Sequence, residues 1–344
     1  MQVMKGVLAA TTALTLGTAA AQAGGFDRSG LPIGWIFEKG NYAELSFGSV
    51  SPDVTASGNP YGDVAGDYTQ LGMALKMDLS DKLSFGLSVD QPYGAKINYN
   101  VFGLNADLTS TSINAIARYK FSDRVAVHAG LRYVTIEGTL QLPAPFPVNV
   151  QQTFSADSDV GYLIGASYEI PDIALRVALT YFSETEHTHN SSAGALVTPN
   201  TINPPQSVNL DFQTGIAADT LLFGQIRWAD WTNTRIVNAG FPIVTYSEDV
   251  YSYSLGIGRK FSETFSAAVS LGYEGAQGGI ASRLAPTDGY WSVGVGGTYT
   301  IDNMKITGGV RYVDIGDATT AGLPVNTFVD NSAVGVGVKV GWTF

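Results

Sequence analysis

The sequence predicts an all-β protein, a 14-stranded antiparallel transmembrane β-barrel with a short N-terminal segment folded into its lumen. Three observations predict it: the alternation of the C-terminal residues, a low charge without a spanning helix, and connections that alternate between short and long. From Asn331 to Phe344, Val334, Val336, Val338, Val340, Trp342 and Phe344 share one parity, and Gly335, Gly337, Lys339, Gly341 and Thr343 share the other. A strand puts these sets on opposite faces. One face suits lipid and the other a watered lumen.

Of 344 residues, 45% are hydrophobic and 14% charged, yet no apolar run beyond the first 23 residues is long enough for a helix to span a bilayer. Residues 1–23 read as a signal peptide, with Lys5, an apolar stretch and Ala21-Gln22-Ala23 as a small-x-small cleavage site. Its removal would make the formal net charge of −11 more negative by one, which leaves no electrostatic case for nucleic acid. There is no cysteine, so stability in an oxidising compartment owes nothing to disulfides. The expected location is the bacterial outer membrane. The roughly 320 remaining residues suit about 14 strands, each crossing the bilayer in about 10 residues.

Candidate strands run from Tyr42 to Val50, Asp67 to Leu79, Leu83 to Gln91, Leu108 to Phe121, Arg124 to Gly138, Phe154 to Ile170 and Asp172 to His187. Seven more run from Ser207 to Ala217, Thr220 to Thr234, Ser247 to Phe261, Thr264 to Gly275, Gly289 to Ile301, Asn303 to Ile315 and Asn331 to Phe344. Polar tight turns such as Ser80-Asp81-Lys82, Ser122-Asp123 and Ser262-Glu263 alternate with long connections beginning at Ser51, Pro92, Thr139, Thr188, Arg235, Ala276 and Gly316. Short turns face the periplasm, which also places Phe344 where the barrel-assembly machinery would read it. Because a charge on the lipid face costs about 2 to 4 kcal/mol at mid-bilayer, parity assigns Lys76, Asp90, Arg118, Arg132, Arg176, Asp211, Arg227, Glu274 and Arg311 to the lumen.

The stretches NYAELSFGSVSPDV, SINAIARYKFSDRVAVHAGLRYV, RVALTYFSETEHT, QIRWADWTN and RLAPTDGYWSVGVGGTYTIDNMKITGGVRYV, spread over most of the chain after residue 40, resemble the FadL family of outer-membrane transporters for long-chain fatty acids and aromatic hydrocarbons. The resemblance implies a fourteen-stranded barrel that passes hydrophobic molecules through its wall into the outer membrane. The family's archetype has a longer N-terminal hatch with an Asn-Pro-Ala motif. Here only residues 24–41 precede the barrel of 42–344, and the motif is missing. That segment still carries Phe26, Leu31, Ile33, Trp35, Ile36 and Phe37, too apolar for a solvated tail. It is expected to plug a ring too wide for its own side chains to fill, the alternative being a leader on the membrane surface.

Candidate site residues follow from chemistry. Two apolar external loops, 140–150 and 194–205, offer Leu142, Phe146, Val148, Leu196 and Val197 as a groove capturing a greasy ligand; packing on each other is the alternative. Pro92, Tyr93 and Gly94 beside Asp90 break strand pairing, since proline donates no ladder bond and glycine bends a strand. The break would form a lateral opening, unless it is only a strand end. Arg132, Arg176 and Arg227 suit a carboxylate in a bidentate fork, with Phe182 and Phe223 for an apolar tail, if luminal carboxylates such as Glu44, Asp90, Asp211 and Glu274 do not claim them. His187-Thr188-His189 lacks a further ligand at metal spacing, and Gly294-Val295-Gly296-Gly297 lies within a strand, not at a helix start. No enzyme, metal or cofactor is expected, and the chain is expected to be a monomer.

The function so expected is passive transport of hydrophobic compounds, partnered by such molecules and by outer-membrane lipid. The alternatives are a general diffusion porin and a structural surface barrel. Replacing Phe146 and Leu196 with Asp is expected to abolish uptake of a labelled hydrophobic ligand and leave assembly intact; normal uptake would remove the capture groove.

Overall fold

The computed structural model describes residues 25–99, 103–142, 152–193, 196–320 and 325–344, with the backbone alone at 191–193 and 196–198. Fourteen strands form the wall: β1 (Tyr42–Asp53), β2 (Tyr68–Asp78), β3 (Leu83–Asp90), β4 (Leu104–Lys120), β5 (Val125–Gln141), β6 (Gln152–Ile170) and β7 (Leu175–Phe182) come first. They are followed by β8 (Ser207–Ala217), β9 (Thr220–Ala229), β10 (Val250–Lys260), β11 (Phe265–Glu274), β12 (Tyr290–Ile301), β13 (Met304–Ile315) and β14 (Asn331–Thr343). Each pairs antiparallel with the next, and β14 closes on β1 from Tyr42↔Thr343 to Asp53↔Ser332. Closure gives every strand two partners and leaves no edge.

The alternation in sequence becomes two faces. Leu71, Met73, Leu75 and Met77 of β2, Leu131 and Tyr133 of β5, and Val334, Val336 and Val338 of β14 are exposed on the outer surface. Lys76, Arg118, Arg132, Arg227 and Glu274, of the opposite parity, are buried within the ring. No helix among the described residues is long and apolar enough to cross a membrane.

Several elements differ from the sequence expectation. β4 begins at Leu104, and β7 ends at Phe182 rather than His187. Beyond Phe182 the regular ladder with β6 stops, and the carboxylates of Asp159 and Asp157 on β6 accept the backbone N–H of Glu186 and Thr188 at 2.8 and 3.0 Å. The long connections carry strands of their own. His187–Ala193 and Leu196–Ile202 form a hairpin, which pairs through Asn200↔Asn238 with the hairpin Arg235–Asn238 and Phe241–Thr245. His187 and His189, expected at a loop start, are buried in that hairpin and turn their Nδ1 atoms to the carbonyls of Asp157 and Ser155.

The end of the barrel that carries the long connections holds an apolar cluster that includes Val54, Tyr61, Val64, Ile97, Tyr99 and Phe328. Tyr99 packs edge-on against Tyr61 and Phe328 and donates its hydroxyl to the carbonyl of Arg283 at 2.9 Å.

Replacing Val336, which is 52% exposed on the outer face of β14, with Arg should lower stability in liposomes by about 2 to 4 kcal/mol in a urea titration. An unchanged midpoint would place that face away from lipid.

Candidate functional site

The site is assembled from the N-terminal segment and the inner wall. Residues 34–37 form one 3-10 turn with Trp35, Ile36 and Phe37 buried. Together with Leu31 and Ile33 they pack on Tyr42, Ala74, Ile116, Leu163, Ala178 and Phe182, apolar side chains turned inward by β1, β2, β4, β6 and β7. Higher up, Phe26 packs edge-on against Tyr93 and Trp231. The Trp231 ring lies where a Cβ on Gly25 would stand, at 2.6 Å, and Gly25 has φ +66°. Glycine meets both demands.

Polar contacts locate this segment. The Arg227 guanidinium holds the Asp27 carboxylate at 2.6 Å and gives the N–H groups of Nη1 to Ser207 and Asn209, each at 2.9 Å. Asn209 donates to the carbonyl of Gly30 at 2.8 Å, and Ser29 donates to Asp90 at 2.5 Å. At the periplasmic end, Lys76 donates to the carbonyls of Glu38 and Gly40 at 2.9 and 2.8 Å. Trp231 is set by the turn that follows β9, where Asp230 accepts from Gln206, Thr232 and Asn233. Burial pushes the Asp230 carboxyl up, but these hydrogen bonds outweigh it and hold it below the usual carboxylate range.

The wall is interrupted at β3. Its pairing with β2 ends at Met73↔Val89, although β2 continues upward to Tyr68 along β1. Its pairing with β4 ends at Asp90↔Ser112 and resumes at Gly94↔Thr109, with one extra residue on the β3 side. That is a bulge, and it turns the chain inward. Pro92 brings no N–H to this stretch, while Tyr93 directs both backbone groups to the Ser110 hydroxyl at 2.8 Å. The result is a candidate window, a break in the β2–β3 ladder above Met73↔Val89 that the Gln91 side chain spans and Arg28 occupies beside Tyr68 and Gly94. It is bounded above where the Gly66 N–H meets the carbonyl of Lys96.

A cavity of about 200 Å³ lies between the plug and the far wall. Ile33, Trp35 and Phe37 line one side, and small residues such as Gly294, Gly309 and Gly335 line the other. Gln70, Leu71, Gly72 and Asp90 from the window edges line it as well. Arg176 lies over the Phe37 ring at 4.7 Å, and it and Arg311 face the cavity. Glu38, Glu169 and Asp211 attract Arg176, and Glu38, Glu44, Asp90 and Asp211 share the cavity lining with both arginines.

Several candidates fall elsewhere than expected. Leu142 is buried in the apolar cap, not displayed in a groove, because it packs with Leu140 and Phe154. Phe146 and Val148 lie outside the described residues, and Leu196 and Val197 are described by backbone alone, in a hairpin strand. Arg227 is engaged by Asp27, so it does not await a ligand. Arg132 lies over Phe182 and donates to the carbonyl of Ser183, away from the cavity. Phe182 packs against the plug. Arg176 and Phe223 do reach the cavity. Asp27, Ser29 and Ser110 were not singled out by sequence, since each acts through a partner far along the chain. Among the described residues no cluster of His, Cys, Asp or Glu could hold a metal.

No described protein family and no characterised protein matches the chain by sequence. Solved structures match by shape. A Pseudomonas aeruginosa FadL homologue superposes with a TM-score of 0.75 at 13% identity, covering 94% of this chain and 96% of its own. This is the FadL-type barrel fold. The Pseudomonas putida toluene transporter TodX gives 0.63 at 15% identity over 89% of this chain and 90% of its own. The monoaromatic hydrocarbon channel CymD gives 0.64 at 12% over 90% and 89%. At these identities the likeness to FadL-type proteins is one of fold.

Replacing Asp27 with Ala leaves the Arg227 charge buried without its carboxylate, and should destabilise the protein by about 3 to 5 kcal/mol. Urea unfolding in liposomes measures this; a loss below about 1 kcal/mol, as for an exposed pair, would show that the pair is not sequestered.

Proposed function

We propose that the chain is a member of the FadL family that carries hydrophobic compounds passively across the outer membrane, lodging them in the luminal cavity and releasing them sideways through the window at β3. One observation carries this reading: a single cavity is lined both by the apolar plug residues and by the window edges. A greasy molecule in it lies against Ile33, Trp35, Phe37 and Phe223, with lipid beyond Gln70–Gly72. Release into the bilayer needs no energy source, since apolar surface leaves water for lipid at about 25 cal/mol per Å².

Arg176 and Arg311 favour a ligand with a carboxylate at one end, such as a long-chain fatty acid. A guanidinium facing a confined lumen can fork a carboxylate whose apolar body the cavity covers, in competition with Glu38, Glu169 and Asp211 near Arg176. Capture begins at the extracellular loops, and the lateral route makes outer-membrane lipid the receiving partner. The barrel acts as a monomer, its last strand having served assembly. A water-filled porin fits less well, because the plug and the apolar cap occupy the lumen.

Cells producing the protein should take up labelled oleate several-fold faster than cells without it, and Arg176→Ala with Arg311→Ala should reduce oleate uptake more than toluene uptake. Deleting Pro92 and Tyr93 should abolish both while the barrel still migrates as a folded, heat-modifiable species. Undiminished uptake by that deletion would end the lateral route. Large steady conductance of the unaltered protein in planar bilayers would instead establish the porin.

A further inference from the structure

Beside the main cavity lies a second one, of about 40 Å³. The two share Gln225, Ser254 and Arg311 as lining, so Arg311 faces both. The second cavity forms where β10, β11 and β12 run side by side. Glu274, the last residue of β11, pairs with Ser252 on one side and with Tyr290 on the other. Glu274 and Tyr290 are buried within the ring, and Asp27 and Arg227 complete the polar lining.

The Glu274 side chain is set in this space with half of its carboxylate engaged. Its Oε2 accepts the Ser252 hydroxyl at 2.6 Å. Among the described residues no donor reaches its other oxygen, Oε1. Arg227 attracts the carboxylate, but that guanidinium already holds Asp27, and Asp27 and Asp288 repel it. A carboxylate oxygen out of water and without a donor is costly, so the space beside Glu274 favours a group that gives it a hydrogen bond. Arg311 lines the same space and interacts there with Tyr290. A guanidinium only donates, so Arg311 favours a group that accepts.

A hydroxyl is the smallest group that does both. The volume takes about three water-sized groups, which is enough for the hydroxyl and the carbon that carries it. A hydroxyl also reproduces the hydrogen bonds of water, the condition for displacing water without loss. A carboxylate here would meet Glu274 and Asp27, and an ammonium would meet Arg227 and Arg311, each at close range in a confined site.

We propose that the second cavity is a head-group subsite for the hydroxyl of an otherwise apolar ligand, with Glu274 accepting its proton and Arg311 donating to its oxygen. The apolar body lies in the main cavity, so this rests on the reading of that cavity as a ligand site and adds a substrate class to it. A carboxylate head stays with Arg176 in the main cavity, and a hydroxyl head passes Arg311 into the second.

The test is saturable binding of tritiated decanol to the protein in nanodiscs, corrected for empty nanodiscs. Decyl methyl ether, which accepts a hydrogen bond but cannot donate one, should displace decanol about tenfold less well than unlabelled decanol does, the donated bond being to a charged group. Glu274→Leu should abolish that difference. Glu274→Gln keeps a neutral acceptor of similar shape and should retain part of it, and it serves if Glu274→Leu does not assemble. Equal displacement by alcohol and ether would overturn the proposal, as would a preference that either variant leaves unchanged. Decylammonium displacing better than decanol would overturn it too, by making Glu274 a cation site. Absence of any saturable decanol binding would remove the main cavity as a ligand site along with the subsite, an outcome distinct from binding without preference.

Discussion

The structure depends on one constraint, that a backbone N–H or C=O facing hydrocarbon must find a protein partner. Closure of β14 on β1 meets it for the ring as a whole. The departure at β3 shows how strict it is. Three unrelated groups are recruited there: the Ser110 hydroxyl for Tyr93, the Gln91 side chain for Leu71, and the N-terminal segment for Pro92 and Gly94. A wall defect of this kind stands only where something inside the barrel can complete its hydrogen bonding, so the window and the plug occur at the same strand.

The lumen is correspondingly two-sided. Where the plug packs, inward positions are large and apolar, as at Ile116, Leu163 and Phe182. Across the ring they are small, as at Ser254, Ser270, Gly294 and Gly335, and the cavity lies against them. Side-chain volume on the inner face thus decides both where the segment rests and where space is left. Buried pairs such as Asp27 with Arg227 add position more than net stability, since desolvating both charges offsets much of their attraction. An apolar segment could otherwise slide along an apolar wall.

Much of this was legible in sequence. Period-two alternation and the rhythm of short turns gave the strand count and the face of each charged residue, because lipid on one side and water on the other impose opposite chemistry on neighbouring positions. Pro92 and Gly94 pointed to the irregular pairing of β3 because their backbone limits act locally. The hairpins in the long connections were not legible: His187–Ala193 and Leu196–Ile202 pair with each other, with β6 and with Arg235–Asn238, and their sequence carries no lipid-facing parity. Nor was the engagement of Arg227, which depends on an aspartate 200 positions earlier. Leu142 read as an exposed apolar loop residue because composition does not say whether a loop folds over itself.

The N-terminal segment should keep its place in the lumen when no ligand is present. Leaving it would expose Phe26, Ile33, Trp35 and Phe37, each worth about 1.5 to 3 kcal/mol of burial, and would break the Asp27 and Ser29 anchors. A ligand can shift such a balance only through contacts that differ between the two positions. Ile33, Trp35 and Phe37 line the cavity, and so contact any apolar occupant as well as the wall behind them. A long apolar chain covering these side chains lowers the cost of their leaving the wall, whereas a small occupant touching only the glycine face would not. The length of the ligand's apolar body thus joins the occupancy of the cavity to the seating of the segment.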